Sequence, residues 1–204
     1  MRFGYSSVAP LLDGWSARFA SSTMTALTGP SGRGKSTLLY ILGLMLKPTA
    51  GQILLDGEQV SNGNDRRRST TRAHRYGFVF QDAALDPTRT VLDNVVETSL
   101  YRKSHRHDDE ARAEELLRQF GVEAPLLRRP GQVSGGQAQR IALCRALLNS
   151  PDVILADEPT GNLDPITADL VVNALRQRSE EGAAVIIVTH APDVAAQCDV
   201  EIKL

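Results

Sequence analysis

The chain has 204 residues, 42% of them hydrophobic and 23% charged, and its 23 basic and 24 acidic side chains leave a net charge of −1. This length and composition predict one globular domain with a substantial core. The near-neutral charge argues against a domain whose main task is to coat nucleic acid, because such domains are distinctly basic. Two cysteines form no disulfide framework, the longest apolar stretch is too short to span a bilayer, and no signal peptide opens the chain. We therefore expect a soluble intracellular chain.

Short apolar runs alternate with longer helical segments along the chain. Strands are predicted at residues 25–28, 52–55, 78–80, 153–156 and 184–188. Helices are predicted at residues 35–46, 90–102, 108–120 and from Pro165 to near Gly182, with Asp108 and Asp164 as N-caps. Residues 61–75, which are rich in arginine, are predicted as a loop or a short exposed helix. This alternation indicates an α/β fold with a mostly parallel sheet, and the helical texture of residues 82–133 indicates an inserted lobe.

The glycine-rich segment after the first predicted strand has the pattern of a phosphate-binding loop. Residues 29–36 read G-P-S-G-R-G-K-S, which matches G-x-x-x-x-G-K-[ST] in full. Glycines let the backbone curl so that successive N–H groups point at phosphate oxygens. Lys35 would place a positive charge near the β- and γ-phosphates, and the Ser36 hydroxyl can ligate Mg²⁺. A chance match is disfavoured because the loop lies between a predicted strand and a predicted helix.

Two more segments carry polar groups at the ends of predicted elements. Residues 133–137, V-S-G-G-Q, open a helix whose free N–H groups suit an anion, although they could equally form only a capping turn. The strand at residues 153–156 runs into Asp157 and Glu158. Asp157 suits a Mg²⁺ contact through water, and Glu158 suits a general base that polarises an attacking water. The alternative for these two acids is a solvated pair at a strand end.

Together these motifs resemble the nucleotide-binding subunit of an ABC transporter. GPSGRGKST corresponds to the family's Walker A loop, VSGGQ to its signature, and VILADEP to its Walker B strand with the catalytic glutamate. Gln81 matches the Q-loop, Asp164 the D-loop and His190 the switch histidine. The strings ADEPTGNLD and FVFQ are most similar to the subgroup that energises lipoprotein release, macrolide export and cell-division permeases of bacteria.

The resemblance implies a P-loop NTPase fold and a single ABC ATPase domain over residues 1–204. Residues 1–81 and 134–204 would form a RecA-like core, with a mostly parallel sheet and a small N-terminal antiparallel β part. Residues 82–133 would form the helical signature subdomain. The strand that usually precedes the family's first aromatic and the usual closing hairpin are both missing, so we expect a compact version of the domain that retains every catalytic position.

The resemblance also implies a Mg²⁺-dependent ATPase and assigns its site residues. Glu158, His190 and Gln81 would be catalytic, and Ser36, Gln81 and Asp157 would serve the metal. The Walker A residues that would contact ATP are Gly29, Pro30, Ser31, Gly32, Arg33, Gly34, Lys35, Ser36 and Thr37. From a second copy, the contacts would be Ser134, Gly135, Gly136, Gln137 and Asp164. Tyr5 is the expected adenine-stacking aromatic, with Phe3 and Trp15 as rivals.

The partners implied by the resemblance are a second copy of the chain and an integral membrane permease. Two copies would pack head to tail around two ATP molecules, and residues 82–133 would grip the permease. The chain would then be cytoplasmic and peripheral on the inner face of the cell membrane, with no nucleic acid partner. The alternative is a soluble ABC-type ATPase that acts on a partner outside transport. Nothing in the motifs identifies the cargo.

Overall fold

The structure is a computed structural model that describes residues 1–4, 10–102, 106–122 and 126–204. Its main sheet contains five parallel strands, β1 (Thr23–Thr28), β4 (Tyr76–Val79), β5 (Val153–Asp157), β6 (Ala184–Val188) and β7 (Val200–Lys203). Their order across the sheet is β4-β5-β6-β1-β7. A small antiparallel sheet pairs β2 (Leu54–Leu55) with β3 (Glu58–Gln59). The predicted α/β class, with a mostly parallel sheet and a small antiparallel part, is confirmed. The strands β3 and β7 are additions that the sequence patterns do not predict.

The parallel register brings three strand ends to one edge of the sheet. Val188, at the end of β6, is paired with Leu27 of β1 on one side and with Asp157 of β5 on the other. The loops that follow β1, β5 and β6 therefore begin side by side. Ligands of open α/β sheets bind at this carboxyl edge.

Helices cover both faces of the sheet. They are α1 (Lys35–Leu42), α2 (Asp65–Arg75), α3 (Val91–Val95), α4 (Arg106–Gln119), α5 (Gly135–Leu147), α6 (Pro165–Glu180) and α7 (Pro192–Ala196). Two 3-10 helices, Val96–Tyr101 and Pro130–Gln132, accompany them. Across the described ranges, none of the helices has the length and apolar character needed to cross a membrane.

Alternate residues of β5 belong to two different hydrophobic clusters. Ile154 and Ala156 pack in a cluster with residues of α3 to α6, whereas Val153 and Leu155 pack in a second cluster with residues of α1. Because successive side chains of a strand point to opposite faces, the two clusters cover the two faces of the sheet. All residues of β5 and β6 are buried, which accounts for their nearly continuous apolar sequence.

The first helix is shorter than predicted. It ends at Leu42 instead of continuing to Leu46, and the chain turns at Gly43 and at Leu44, whose φ is 60°. A Cβ built on Gly43 would lie only 2.5 Å from a ring carbon of Phe78. The apolar residues after the turn therefore contribute to the core outside the helix.

The arginine-rich segment forms a largely exposed helix, α2, which is one of the two predicted alternatives, with Ala73 as its one buried residue. The Asn64 side chain caps α2 by accepting a hydrogen bond from the Arg67 N–H at 2.9 Å. Arg72 donates to the backbone oxygen of Leu44 at 2.7 Å, and Arg75 pairs with Asp56 and Asp152. These arginines tie α2 to the end of α1 and to the sheet.

The described part of residues 82–133 differs from the prediction in two places. The single helix predicted for residues 90–102 is divided into α3 and a 3-10 helix, with Thr90 as the N-cap of α3. Asp108 was predicted as an N-cap, but it lies within the first turn of α4. An acidic residue in the first turn also favours the helix dipole, so its position marked the helix start only approximately. Gly121 follows α4 with a φ of 61°, as expected for a glycine that ends a helix.

Candidate functional site

The phosphate loop lies between the end of β1 and the start of α1. Gly29, Gly32 and Gly34 have φ values of 135°, 79° and 89°, which side chains with a Cβ rarely adopt. A Cβ built on Gly34 would lie 2.8 Å from Leu11, whereas one built on Gly32 would meet nothing within 4 Å. The loop therefore combines left-handed backbone turns with open space above Gly32, as a phosphate cradle requires.

Lys35 folds back over this loop. Its side chain is buried, and Nζ donates hydrogen bonds to the backbone oxygens of Gly29 at 2.8 Å and Pro30 at 3.0 Å. The ammonium group is thereby held beside the loop without a carboxylate partner among the described residues. The neighbouring loop residues Pro30, Ser31 and Arg33 are exposed, and Thr37 is buried at the start of α1.

Ser36 and Asp157 meet beneath the loop. The Ser36 hydroxyl donates to Asp157 Oδ1 at 3.0 Å, and the Tyr40 hydroxyl donates to Oδ2 at 3.5 Å. Burial raises the pKa of Asp157, although both hydrogen bonds and the charge of Lys35 act in the opposite direction. Sequence reasoning missed Tyr40, yet its place four residues after Ser36 puts both on one face of α1.

The donor set fits a magnesium ion. Hydroxyl and carboxylate oxygens are hard ligands, and Mg²⁺ is bound through one or two carboxylates together with substrate phosphates. In the described part of the chain, no group of three or more His, Cys, Asp or Glu side chains could hold a metal by itself. Ser36 and Asp157 are therefore suited to share a Mg²⁺ ion with a bound nucleotide.

Glu158 and His190 are brought together at the ends of β5 and β6. Glu158 has a left-handed φ of 46°, and its N–H donates to the backbone oxygen of Val188 at 2.9 Å. The His190 N–H donates to Glu158 Oε2 at 3.3 Å, and His190 Nε2 lies 3.6 Å from Oε1. Glu158 Oε1 is buried and has no hydrogen-bond partner among the described residues. An acceptor of this kind is available for a water molecule.

Gln81 lies on the loop after β4, and Asp164 lies at the start of α6. Gln81 is exposed after β4, and a Cβ built on Gly161 would lie 3.9 Å from its Nε2. Asp164 caps α6 as predicted, accepting from the Thr167 N–H at 3.0 Å and from the Thr167 hydroxyl at 2.7 Å. These hydrogen bonds lower the pKa of Asp164.

The signature segment begins α5 and remains apart from the phosphate loop. The Ser134 hydroxyl accepts from the Gln137 N–H at 3.2 Å, and Gln137 Oε1 accepts from the Ser134 N–H at 3.0 Å. A Cβ built on Gly135 would meet nothing within 4 Å, and one built on Gly136 would lie 3.9 Å from Thr167 Oγ1. As far as the structure describes the chain, no hydrogen bond or ion pair joins residues 134–137 to residues 29–36. Within the described residues of one chain, the two halves of the predicted site are therefore not bonded to each other.

The aromatic residues near the N-terminus are used in different ways. Tyr5, the expected adenine-stacking residue, lies outside the described residues. Its rival Phe3 is 7% exposed and packs in the core, while Trp15 is half-buried against Phe19 with ring centroids 6.4 Å apart. Both rivals thus contribute to packing.

A glycine-rich loop suited to phosphate, a hydroxyl and carboxylate pair suited to Mg²⁺, and a carboxylate oxygen that accepts no hydrogen bond together meet the needs of phosphoryl transfer to water. The chain is accordingly a nucleoside triphosphatase of the P-loop class. Comparison with known protein families narrows this class, because the ABC transporter family model matches residues 12–161. The chain belongs to the ABC transporter family.

Similar proteins agree with this assignment. The chain is 46% identical over 177 residues to the lipoprotein-releasing system ATP-binding protein LolD 1 of Rhodospirillum rubrum, covering 86% of this chain and 78% of that protein. It is 40% identical over 202 residues to LolD of Roseobacter denitrificans, covering 98% and 89%. Its fold matches a dimeric structure of the ATP-binding cassette MJ0796 with ADP and Pi, with a TM-score of 0.90, 32% identity, and coverage of 100% and 90%. The chain is an ATP-binding and ATP-hydrolysing subunit of an ABC transporter.

Proposed function

We propose that two copies of this chain pair head to tail around two ATP molecules and drive a separate integral membrane permease. The observation that carries the hydrolytic site is the buried, unpartnered Oε1 of Glu158, adjacent in sequence to the Asp157 carboxylate that Ser36 binds. The dimer is supported by the separation of the signature segment from the phosphate loop within one chain. It is also supported by the dimeric MJ0796 cassette.

Each half of the composite site has a distinct part. Residues 29–37 of one copy bind the phosphates, with Lys35 beside the β- and γ-phosphates. Ser134, Gly135, Gly136 and Gln137 of the other copy cover the γ-phosphate, and Asp164 meets the facing Walker A region. Tyr5 stacks on the adenine. Ser36, Asp157 and Gln81 would hold Mg²⁺, which would offset the charge of the phosphate oxygens.

Hydrolysis then needs a base and a sensor of the γ-phosphate. Glu158 Oε1 accepts a proton from the attacking water as the water oxygen bonds to the γ-phosphorus. The bond from that phosphorus to the bridging oxygen breaks, and its electron pair leaves with ADP. His190 keeps the Glu158 carboxylate oriented and contacts the γ-phosphate. Loss of phosphate removes contacts that only the closed dimer makes, so the dimer opens.

The proposed roles divide the chain into a core and a helical subdomain. Residues 1–81 and 134–204 form the nucleotide-binding core with its β subdomain, and residues 82–133 form the helical subdomain that contacts the permease. The LolD names of the relatives support a permease of the lipoprotein-releasing kind. The chain would then be held peripherally at the cytoplasmic face of the membrane.

Replacing the general base tests the proposal. Glu158→Gln should bind ATP, lower the rate of phosphate release by at least about 100-fold, and accumulate as an ATP-bound dimer. Phosphate release and size-exclusion chromatography measure these effects, and Glu180→Gln on the exposed face of α6 is the matched control. Near-wild-type turnover of Glu158→Gln would contradict the role of Glu158.

The trapped variant also identifies the partner. Glu158→Gln loaded with Mg²⁺ and ATP in its native host should co-purify with a multi-spanning membrane protein after gentle solubilisation. Recovery only in the soluble fraction, with another protein or with nucleic acid, would contradict the transport role and leave the ATPase assignment unchanged.

A further inference from the structure

The loop that carries Gln81 is held by polar side chains of α5 on both sides. Before Gln81, the buried amide of Gln139 donates through Nε2 to the backbone oxygen of Phe80 at 3.1 Å. The same Nε2 lies 3.4 Å from the backbone oxygen of Pro159, the residue after Glu158. One amide group therefore bridges the segments that precede Gln81 and follow Glu158.

After Gln81, a buried guanidinium holds the loop. Arg145 is 9% exposed, and it donates through Nη2 to the backbone oxygen of Ala83 at 2.8 Å and through Nη1 to that of Ala84 at 2.7 Å. Burial lowers the pKa of Arg145, partly offset by the charge of Glu97. No carboxylate in the described ranges forms an ion pair with Arg145. Its buried charge is compensated by these two carbonyl groups.

The loop conformation needs such support. Ala83 and Ala84 have φ values of 58° and 47°, and two consecutive left-handed residues with a Cβ are unfavourable by themselves. A cavity of about 200 Å³ is lined by Gln81, Asp82 and Ala83 of this loop, by residues near the start of α5 and by residues 159, 162 and 163. The forked donors of Arg145 match two successive carbonyls, which a lysine cannot reproduce.

We propose that Gln139 and Arg145 are positioning residues for ATP hydrolysis, which fix Gln81 by holding the backbone on both sides of it. The inference rests on the proposed role of Gln81 at the nucleotide. Because both residues belong to the helix that begins at the signature segment, movement of α5 would move the Gln81 loop with it.

Two conservative arginine substitutions, one on α5 and one on α2, test the proposal. Arg145→Lys keeps the charge but loses the fork, and should lower kcat for Mg-ATP hydrolysis by about 10- to 100-fold while KM for ATP stays within about twofold. Arg72→Lys is the control, because Arg72 also donates to a backbone oxygen, that of Leu44 at 2.7 Å, and among the described residues it has no hydrogen bond to a site residue. Its kcat should stay within about twofold of wild type. Equal kcat values for the two variants would overturn the proposal.

Two further measurements separate positioning from general stability. Glycine adopts left-handed conformations without the steric penalty of a Cβ, so Ala83→Gly with Ala84→Gly should restore part of the kcat lost by Arg145→Lys. Hydrogen exchange of residues 82–85 in the nucleotide-free protein should be faster in Arg145→Lys and unchanged in Arg72→Lys. A kcat loss without faster exchange, or without recovery by glycine, would contradict the proposal.

A second variant covers the case in which Arg145→Lys does not fold. Gln139→Glu keeps the side-chain shape but replaces the donor with an acceptor that faces two carbonyl oxygens, and should also lower kcat at unchanged KM. Gln81→Ala separates the proposed role of Gln81 from the proposed role of Gln139 and Arg145. If Gln81→Ala retains wild-type kcat, the proposed role of Gln81 is wrong, and so is the proposed positioning role of Gln139 and Arg145. If Gln81→Ala loses activity while Arg145→Lys and Gln139→Glu retain it, only the positioning role of Gln139 and Arg145 is wrong.

Discussion

Two adjacent carboxylates at the end of β5 have different surroundings. Asp157 is 7% exposed and lies among hydroxyl groups of α1, whereas Glu158 turns toward His190 through a left-handed φ of 46°. The turn at Glu158 sends the two side chains to different partners. This separation supports a metal contact for Asp157 and a base for Glu158, because the environment decides which role a carboxylate can take.

At the residue scale, Asp157→Asn should stabilise the nucleotide-free chain and abolish most of its activity. Burial raises the pKa of Asp157, so its ionised form costs stability at neutral pH. We expect the free energy of unfolding to rise by about 1 kcal/mol, which corresponds to roughly 2–4 °C in Tm. The same substitution removes a charged metal ligand, so kcat should fall by about 100-fold.

The pH dependence of this stabilisation identifies its cause. The gain in Tm should be complete above the raised pKa of folded Asp157 and should vanish as the pH falls below about 3.9, the pKa in the unfolded chain. Below that pH the carboxyl is protonated in both the folded and the unfolded wild-type chain, so asparagine has no advantage. Thermal unfolding across this range measures the effect, with Asp169→Asn on the exposed face of α6 as control. A gain independent of pH would argue against desolvation as its source.

At the scale of elements, α5 approaches β4 where the strand has no side chain. A Cβ built on Gly77 would collide with the backbone oxygen of Ala146 and lie 2.9 Å from Pro151 Cγ. Rotating a side chain cannot relieve a collision with backbone, so the close approach depends on glycine. The contact sets the position of the helix that carries the signature segment, Gln139 and Arg145.

Gly77→Ala should therefore lower the free energy of unfolding by about 2 kcal/mol, because the added methyl group forces α5 away from β4. Urea unfolding measures the change. The control is Gly131→Ala, where a Cβ would meet nothing within 4 Å and the expected change is within about 0.5 kcal/mol. Similar effects for the two substitutions would show that α5 can shift without cost.

At the scale of the whole molecule, the residues of the two proposed half-sites lie at different ends of the chain's elements. Residues 29–36, Asp157, Glu158 and His190 gather at the carboxyl edge of the sheet. Residues 134–137 begin α5, where Ser134 and Gly135 are exposed. Head-to-tail pairing of two copies would bring each signature segment to the facing loop, and symmetry would complete both sites at once.

Mixing two inactive variants tests this arrangement. Lys35→Ala disables one half of a site and Ser134→Arg the other, so each variant alone should hydrolyse almost no ATP. A mixed dimer contains one intact composite site, and an equimolar mixture should regain up to about a quarter of the wild-type rate of phosphate release.

The control mixture combines Lys35→Ala with Glu158→Gln. Lys35 and Glu158 serve the same half-site, so no mixed dimer would contain an intact site, and activity should stay absent. Recovery in both mixtures, or in neither, would contradict the head-to-tail arrangement.

The local patterns of the sequence determined much of this protein. The strand at residues 184–188 and the start of α6 at Pro165 are confirmed at the predicted residues, and Asp164 caps α6 as expected. The phosphate loop could be read directly because its glycines, Lys35 and Ser36 are adjacent in sequence. These features depend on neighbouring residues, which the sequence displays in order.

Only the tertiary structure decided the features that depend on distant contacts. The early end of α1 at Leu42 accompanies a contact between Gly43 and Phe78, and the pairing of Arg75 joins α2 to Asp56 and Asp152. The bonds from Gln139 and Arg145 to the Gln81 loop likewise join segments about 60 residues apart in the chain. A buried polar group needs a partner, but its sequence does not say which distant carbonyl the fold will bring to it.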